Sequence, residues 1–233
     1  MNVLAVGAHP DDLELLCSGT LALFSKKGHK VFMCHACNGN KGSFKLTSEE
    51  IAGIRRSEAI KSAGLIGAES LYAGFSDGEL VIDMESKKKM IDIVRQANPD
   101  IVITHYPDDY HPDHRTTSAL VFEAHYMSRF NLFETNYKNT NKIPALYYMD
   151  TLACVNFNPI EYVNISDTIE IKIDMMMKME SQLGFLQEVH GTDVEDFIRT
   201  IAKFRGFQVG VPYAEAFILQ QKYPFGLTKR ILP

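Results

Sequence analysis

Cysteine, tryptophan and long apolar runs are scarce or missing in this sequence. It contains four cysteines and no tryptophan among 233 residues. Four cysteines in a chain of this length do not provide the disulfide framework of a small secreted domain, so we expect a reducing, cytoplasmic environment. No apolar run is long enough to cross a bilayer, and the segment Met1 to Gly7 has no basic region of the kind that opens a signal peptide. The sequence therefore predicts no membrane association.

An excess of basic residues is also missing. Lysine and arginine number 24 against 29 aspartates and glutamates, which gives a net charge of -5. Proteins that bind nucleic acids or membrane surfaces by general charge attraction carry a basic excess, so neither partner is expected. The length and a hydrophobic content of 45% are enough to bury one sizeable core. We predict a single domain over residues 1–233.

Short apolar runs alternate with helical patterns along most of the chain. Up to residue 127 the pattern predicts strands at 3–6, 30–36, 71–75 and 100–105, and helices at 13–27, 48–63, 86–97 and 116–127. Beyond residue 143 it predicts strands at 144–149 and 152–156, helices at 167–183 and 195–206, and a strand or packing segment at 213–219. This alternation indicates an α/β fold with a parallel sheet and helices on both faces. In such sheets the ligand site lies beyond the carboxyl ends of the strands.

Two histidine-containing motifs follow predicted strands. The first is His9-Pro10-Asp11-Asp12 and the second is His111-Pro112-Asp113-His114. Either motif alone fits an ordinary turn, because proline and aspartate favour turns, and either aspartate of the first motif could cap the following helix. Two such motifs, each at the end of a strand of one sheet, favour a metal site instead.

The residue types of these motifs match a catalytic zinc site, which uses three nitrogen or oxygen ligands and keeps a water position. A set of two histidines and one carboxylate would consist of His9, Asp12 and His114. Asp11 and His111 would then lie beside the metal, free for proton transfer. A nucleotide site is disfavoured, because the glycines after the first strand do not form G-x-G-x-x-G. A non-catalytic zinc protein is also disfavoured, because it needs no spare base.

The sequence resembles the LmbE/PIG-L family of zinc-dependent N-acetylglucosaminyl deacetylases. The family's AHPDDxE and HPDH signatures stand here at residues 8–14 and 111–114. Three supporting segments are similar to the family's R-x-x-E-A, F-P-D-G and Y-A-E-x-F patterns, at 55–59, 75–78 and 213–217. The last is typical of the bacterial branch that includes the bacillithiol-pathway deacetylases. The resemblance covers nearly the whole chain.

This resemblance implies a Rossmann-like fold, a homo-oligomer and a small N-acetylated sugar as substrate. It implies zinc ligands at His9, Asp12 and His114, a general base at Asp11, and a histidine at His111 that stabilises the oxyanion in its protonated form or protonates the leaving amine. It also implies a substrate contact at Arg55. The products would be acetate and a free amine. Fe²⁺ can occupy the same donor set.

Departures from the family pattern concern substrate recognition. Tyr110 stands where many relatives carry an arginine before the second motif. Some relatives carry a further arginine near the later strand, and Lys142 is the basic residue of this chain nearest to that position. A lysine cannot reproduce a bidentate arginine contact. We therefore keep Tyr110 and Lys142 as candidate substrate contacts, and we keep open a metal-dependent amidase that acts on a non-sugar or glycopeptide amide. Tyr213 and Glu215 either line the pocket or pack the end of the chain.

The C-x-x-C sequence of Cys34 and Cys37 is a weaker signal. It lies on a predicted strand, where residues three apart point to opposite faces. The two thiols would then be unable to share a metal ion, and we predict core packing for both.

Overall fold

The computed structural model describes residues 1–191, 193–221 and 230–233. Within these residues seven strands form one sheet in the order β3-β2-β1-β4-β5-β7-β6. The strands β1 to β5 are mutually parallel, whereas β7 runs antiparallel to both β5 and β6. The strands are β1 Asn2–Gly7, β2 Lys30–Cys37, β3 Glu69–Phe75, β4 Ile101–Thr104, β5 Ala145–Met149, β6 Glu161–Asn164 and β7 Ala214–Leu219.

Eight α-helices cover this sheet within the described part of the chain. They are α1 Asp12–Leu16, α2 Ser18–Lys26, α3 Ser48–Gly64, α4 Met84–Ala97, α5 Pro112–Met127, α6 Ile169–Met176, α7 Glu180–His190 and α8 Val194–Val209. Two separate hydrophobic cores lie on the two faces of the sheet, because side chains alternate along each strand. Val3 and Ala5 of β1 join the core under α1, α2, α3, α6 and α8, whereas Leu4 and Val6 join the core under α4 and α5. The predicted α/β class, with a mostly parallel sheet and helices on both faces, is confirmed.

The helix predicted over 13–27 is in fact two helices, which separate at Cys17. The backbone of Cys17 is not helical (φ −144°, ψ 4°). The break frees the first amides of α2, and the carboxylate of Glu215 accepts hydrogen bonds from the amides of Gly19 and Thr20 at 3.0 and 2.7 Å. A carboxylate from β7 thus satisfies the start of α2.

Two further predictions fail in the second half of the chain. Residues 152–156 are not a strand, because Ala153, Cys154 and Asn156 have left-handed backbone with φ of 56°, 59° and 55°. The edge strand is instead β6. The helix predicted over 167–183 is divided into α6 and α7 by a turn between Met176 and Glu180, which lets α7 pack on α3.

The geometric argument about the C-x-x-C sequence is also wrong, although the predicted burial is right. The pairing of β2 with β3 is irregular between His35 and Cys37. The irregularity brings Cys37 to the same core as Cys34. Both thiols are buried, and burial raises the pKa of each, to about 12 for Cys34.

The strand order places a topological switch point between β1 and β4. The chain leaves β1 toward β2 on one side, and it leaves β4 toward β5 on the other. Ligands of open α/β sheets bind at this position, outside the carboxyl ends of the strands. Among the described residues, no helix combines the length and apolarity required to cross a membrane.

Candidate metal and catalytic site

Both histidine motifs lie at the switch point. The first follows β1 and leads into α1, and the second follows β4 and leads into α5. Asp11 has φ of 147°, a conformation that residues with a side chain rarely adopt. Its side chain does not cap the helix that follows. The strained turn directs the carboxylates of Asp11 and Asp12 to different partners.

Asp12 connects the two motifs. One carboxylate oxygen lies 3.5 Å from Nδ1 of His9, and the other lies 3.2 Å from Nε2 of His114. Ligands at tetrahedral positions about 2.0–2.2 Å from a zinc ion are separated by similar distances, roughly 3.3–3.6 Å. In the described residues, compact groups of possible metal donors include His9 with His111 and His114, and Asp12 with His105 and His114. The predicted set draws from both groups.

The second nitrogen of each of these histidines meets a carboxylate. Nε2 of His9 lies 3.0 Å from Asp113, and Nδ1 of His114 lies 3.1 Å from Asp109. A carboxylate behind a metal-binding histidine fixes the tautomer and turns the other nitrogen toward the ion. Asp113 also accepts a hydrogen bond from the amide of Gly78 at 2.8 Å. The turn at 75–78 therefore helps to orient the first motif.

The charges at the site are strongly coupled. Burial alone would lower the pKa of His9, but the carboxylates of Asp113 and Asp12 outweigh burial and raise this pKa to about 10. Burial opposes protonation of His114 in the same way, and Asp12 and Asp109 raise its pKa to about 9. Burial would raise the pKa of Asp12, but nearby His114 and His105 hold it well below its usual range. The carboxylates of this cluster therefore favour a positive charge beside them, which either bound protons or a metal ion can supply.

Asp11 is buried beside this cluster and has two polar neighbours. Arg55 Nη2 lies 3.4 Å from one of its oxygens, and Gln182 donates a 2.9 Å hydrogen bond to the other. Burial raises the pKa of Asp11 to about 7, with the Arg55 charge lowering it and the Asp12 charge raising it. A carboxyl with a pKa near 7 is suited to accept and return a proton near neutral pH.

His111 lies against the rings of His9 and His114, with centroid distances of 4.9 and 4.7 Å. Its Nδ1 accepts a hydrogen bond from the amide of Asp113 at the start of α5. Burial and the charges of His114 and His9 lower the pKa of His111. The neutral ring then carries its proton on Nε2, so His111 can donate a hydrogen bond without the positive charge that we expected.

His105 also approaches the cluster, at the end of β4. Its Nε2 accepts a hydrogen bond from the amide of Ala8 at 2.9 Å and lies 3.2 Å from Asp12. Its ring stacks on that of His114 with a centroid distance of 3.9 Å. His105 is thus a buried, hydrogen-bonded histidine that packs behind the site.

A cleft of about 420 Å³ opens over these residues. Its lining combines the polar cluster with an apolar side formed by Leu15, Leu152, Phe185 and Leu186. Tyr110 lines the cleft and is 61% exposed. A larger cavity of about 800 Å³ lies against β6, and its described lining contains no histidine. The smaller cleft is therefore the better candidate site.

Of the predicted substrate contacts, Tyr110 and Arg55 line the cleft, whereas Lys142 does not. Arg55 lines the cleft, but its side chain is buried and its Nη2 donates a 2.7 Å hydrogen bond to the carbonyl of Pro10. Lys142 is not brought to the site. Its ammonium pairs with Asp100, which directly precedes β4 and lies at the opposite edge of the sheet.

Three polar residues of the site were not assigned a role from the sequence. Asp109 lies in the loop after β4, Asp113 lies in the first turn of α5, and each carboxylate contacts a histidine of the site. The sequence signal for both was their position next to His111 and His114. Gln182 lies 171 positions from its partner Asp11. A lone glutamine in a helical segment carries no motif that could have indicated this contact.

Residues 4–125, just over half of the chain, match the family model described as PIG-L: GlcNAc-PI de-N-acetylase. The chain belongs to the PIG-L family. The resemblance expected from the motifs is thereby confirmed. An N,N'-diacetylchitobiose deacetylase from Pyrococcus horikoshii has a similar structure, with a TM-score of 0.82 and 30% identity over 94% of this chain and 83% of that chain.

Sequence relatives of the chain carry more than one enzyme name. A 1D-myo-inositol 2-acetamido-2-deoxy-alpha-D-glucopyranoside deacetylase from Corynebacterium diphtheriae is 27% identical in an alignment 141 positions long with gaps, which covers 48% of this chain and 48% of that enzyme. A 4-oxalmesaconate hydratase from Pseudomonas putida is 25% identical in an alignment 131 positions long with gaps, which covers 53% of this chain and 51% of that enzyme. The chain thus spans about half the length of these sequence relatives.

Proposed function

We propose that this PIG-L family protein is a zinc-dependent deacetylase that removes the N-acetyl group of an amino sugar or an N-acetylglucosamine conjugate. One observation carries the proposal: a buried carboxylate, Asp11, lines the cleft directly beside a donor set of two histidines and a carboxylate. The names of the relatives from Pyrococcus horikoshii and Corynebacterium diphtheriae support an acetamido sugar as substrate.

We propose His9, Asp12 and His114 as the residues that hold the metal ion. The donor chemistry fits, because one ring nitrogen of each histidine contacts a supporting carboxylate and the other ring nitrogen faces Asp12. A zinc ion bound there supplies Lewis-acid activation of water and of the amide carbonyl. Fe²⁺ suits the same set, so the native metal has to be measured in the purified protein.

The remaining steps belong to side chains. Asp11 accepts the proton of the attacking water, and its pKa of about 7 lets it return a proton to the departing amine. The Nε2–H group of His111 donates a hydrogen bond to the developing oxyanion. Tyr110, exposed at the cleft, contacts the sugar. Arg55 acts chiefly by holding the backbone of Pro10 beneath Asp11.

A deacetylase is distinguished from its alternatives by the substrate consumed. An amidase would use the same residues on a non-sugar or glycopeptide amide, because the cleft and not the metal set selects the substrate. A hydratase, the name carried by the Pseudomonas putida relative, would also activate water but add it to a carbon–carbon double bond. The amidase, like the deacetylase, requires a proton to be returned to the departing amine, whereas the hydratase does not.

The first experiment is an acetate-release assay on purified protein. The panel contains N,N'-diacetylchitobiose, N-acetylglucosamine glycosides, an N-acetylated amino acid and an unsaturated dicarboxylate, each with zinc or with a chelator. We expect metal-dependent acetate release from the sugars, and a loss of about 10²–10⁴-fold in Asp11→Asn. Release from the amino acid alone would support the amidase, and consumption of the dicarboxylate without acetate would support a hydratase.

Metal content provides the independent test. Asp12→Ala and His114→Ala are expected to lose stoichiometric zinc, whereas Asp11→Asn retains it. His29→Ala is the control, because His29 lies on the turn before β2 at the opposite edge of the sheet. A wild-type protein that binds no zinc, or an Asp12→Ala protein that binds it normally, would overturn the assignment of the ligands.

The proposal includes one catalytic domain over residues 1–233, a cytoplasmic location and a homo-oligomer. Four unpaired cysteines support a reducing compartment. Exposed apolar side chains, such as Leu132 at 89% and Phe207 at 86% exposure, support contacts between subunits. Light scattering of the purified protein measures the oligomeric state directly, and a monomer at working concentration would remove this part of the proposal.

A further inference from the structure

The carboxylate of Asp11 accepts a hydrogen bond from a helix far away in the sequence. Gln182 of α7 donates a hydrogen bond of 2.9 Å from Nε2 to Oδ2 of Asp11, and the side chain of Gln182 is almost fully buried. The opposite carboxylate oxygen is 3.4 Å from Arg55. Gln182 thus makes the shorter of the two contacts and is a neutral donor.

The two terminal nitrogens of Arg55 donate to backbone carbonyls and not to Oδ2 of Asp11. Nη2 donates to the carbonyl of Pro10 at 2.7 Å, and Nη1 donates to the carbonyl of Gly39 at 3.4 Å. These bonds hold the loops around the site. Among the described residues, Gln182 is the side chain that donates to Oδ2 of Asp11.

The position of Gln182 is itself fixed from α3. Glu58 accepts hydrogen bonds from the amide of Ser181 at 2.9 Å and from its hydroxyl at 2.6 Å. Glu58 is buried and lies three residues after Arg55 on the same helix. Residues three apart on a helix share a face. One face of α3 therefore holds both the turn that carries Asp11 and the helix that carries Gln182.

We propose that Gln182 is a positioning residue, which holds the Asp11 carboxylate in the orientation that accepts a proton from water, and that Glu58 sets the place of Gln182 through Ser181. This inference rests on the proposed function, in which Asp11 is the general base. Without the donor, the carboxylate is free to rotate away from the attacking water. A misplacement of about 1 Å in a reacting group lowers the rate by about 10²-fold in other enzymes.

The proposal predicts a separation of kcat from KM. Gln182→Met keeps the length of the side chain and removes the donor. We expect kcat to fall by about 10–100-fold, with KM and zinc content within twofold of wild type. The matched control is Gln187→Met, the same substitution on the exposed side of α7, which is expected to leave kcat unchanged.

The contact through Ser181 gives a second, milder variant. Ser181→Ala removes the 2.6 Å hydrogen bond to Glu58 but keeps the backbone bond. We expect a several-fold loss of kcat, and no further loss when it is combined with Gln182→Met, because both changes act through one contact. Fully multiplicative effects would show that Ser181 acts by another route. If Gln182→Met does not fold, Ser181→Ala still tests the proposal.

Crystal structures of wild type and Gln182→Met test the proposal without activity. We expect the Asp11 carboxylate to leave its wild-type rotamer in the variant. An unchanged rotamer together with an unchanged kcat overturns the role of Gln182, and a raised KM with an unchanged kcat makes it a substrate contact instead. Wild-type protein that releases no acetate overturns the proposed function, whereas the rotamer comparison remains decisive for Gln182.

Discussion

The ammonium of Lys172 lies 2.5 Å from a carboxylate oxygen of Glu215, and both side chains are buried. Lys172 also donates to the carbonyl of Leu15 at 2.8 Å, at the end of α1. The pair therefore joins α6 and β7 to the break between α1 and α2, directly behind the turn that carries Asp11. Glu215 packs the structure and does not line the site cleft. This answers the question that the sequence left open for Glu215.

Loss of one partner of this buried pair should be costly. We expect Lys172→Met to lower the free energy of unfolding by about 3–5 kcal/mol, because the carboxylate of Glu215 is left in the core without its cation. Adding Glu215→Gln should recover part of the loss, because the unpaired charge is then removed. Urea unfolding measures both, with Lys26→Met as the exposed lysine control. Equal losses in the two lysine variants would contradict the role assigned to the pair.

Gly39 should tolerate alanine less well than Gly67. Both have left-handed backbone, with φ of 74° and 65°, so each substitution carries a conformational cost of about 1–2 kcal/mol. A Cβ on Gly39 would lie 2.5 Å from Cδ of Arg55, whereas a Cβ on Gly67 would meet no atom within 4 Å. Gly39→Ala must therefore displace Arg55, which supports the turn that carries Asp11.

The measurement compares unfolding and activity for the two glycine variants. We expect Gly67→Ala to lose about 1–2 kcal/mol of stability and to retain the wild-type kcat. Gly39→Ala should lose more stability and, in addition, at least tenfold in kcat. If the two variants behave alike, the close packing of the loop at 38–42 on Arg55 has no consequence for the site.

Lys142 should be dispensable for substrate binding. Its ammonium pairs with Asp100 at the edge of the sheet opposite the cleft, so its removal leaves the site unchanged. We expect Lys142→Ala to keep KM and kcat within twofold of wild type and to lose at most about 1 kcal/mol of stability. Tyr110→Ala, at the cleft, is the comparison and should raise KM. An increase in KM for Lys142→Ala would restore the role expected from the sequence.

The site was predictable where its residues are close in sequence to the strands that carry them. His9 and Asp12 follow β1 directly, and His114 lies in the first turn of α5, shortly after β4. Parallel strands bring their carboxyl ends to one edge, so two local motifs were enough to predict one cluster. The class of the fold followed from the same alternation of strands and helices.

The errors arose where distant residues decide the local conformation. At the break near Cys17, the carboxylate of Glu215 accepts a hydrogen bond from the amide of Thr20, which lies 195 positions away in the sequence. The apolar segment after Thr151 resembles a strand, but its left-handed residues form a turn. Gln182 reaches Asp11 only because α6 and α7 separate. Apolar periodicity carries no information about contacts of this kind.

His125 should make the stability of the protein depend on pH in a defined window. It lies buried in α5, and its Nδ1 donates to the carbonyl of Phe122. Burial lowers its pKa from 6.5 to about 4, with the hydrogen bond to Phe122 opposing this shift. Between these two values the unfolded chain binds more protons than the folded protein. Stability therefore falls as the pH decreases from about 6.5 to about 4, and His125 contributes no pH dependence above this window.

The substitution His125→Gln removes the titrating group and keeps a donor for the carbonyl. At pH 7.5 we expect the variant to be less stable than wild type, by about 1–2 kcal/mol, because the buried ring is lost. On acidification to pH 4.5 wild type should lose about 2–3 kcal/mol relative to the variant, since each unit of pKa shift corresponds to about 1.4 kcal/mol, so the order of the two stabilities should reverse. Leu120→Ala is the matched control, because it removes buried apolar volume from the same helix without a titrating group. The free energy of unfolding of Leu120→Ala should change with pH in the same way as that of wild type. If the free energy of unfolding of His125→Gln does so too, His125 does not become protonated on unfolding in this range.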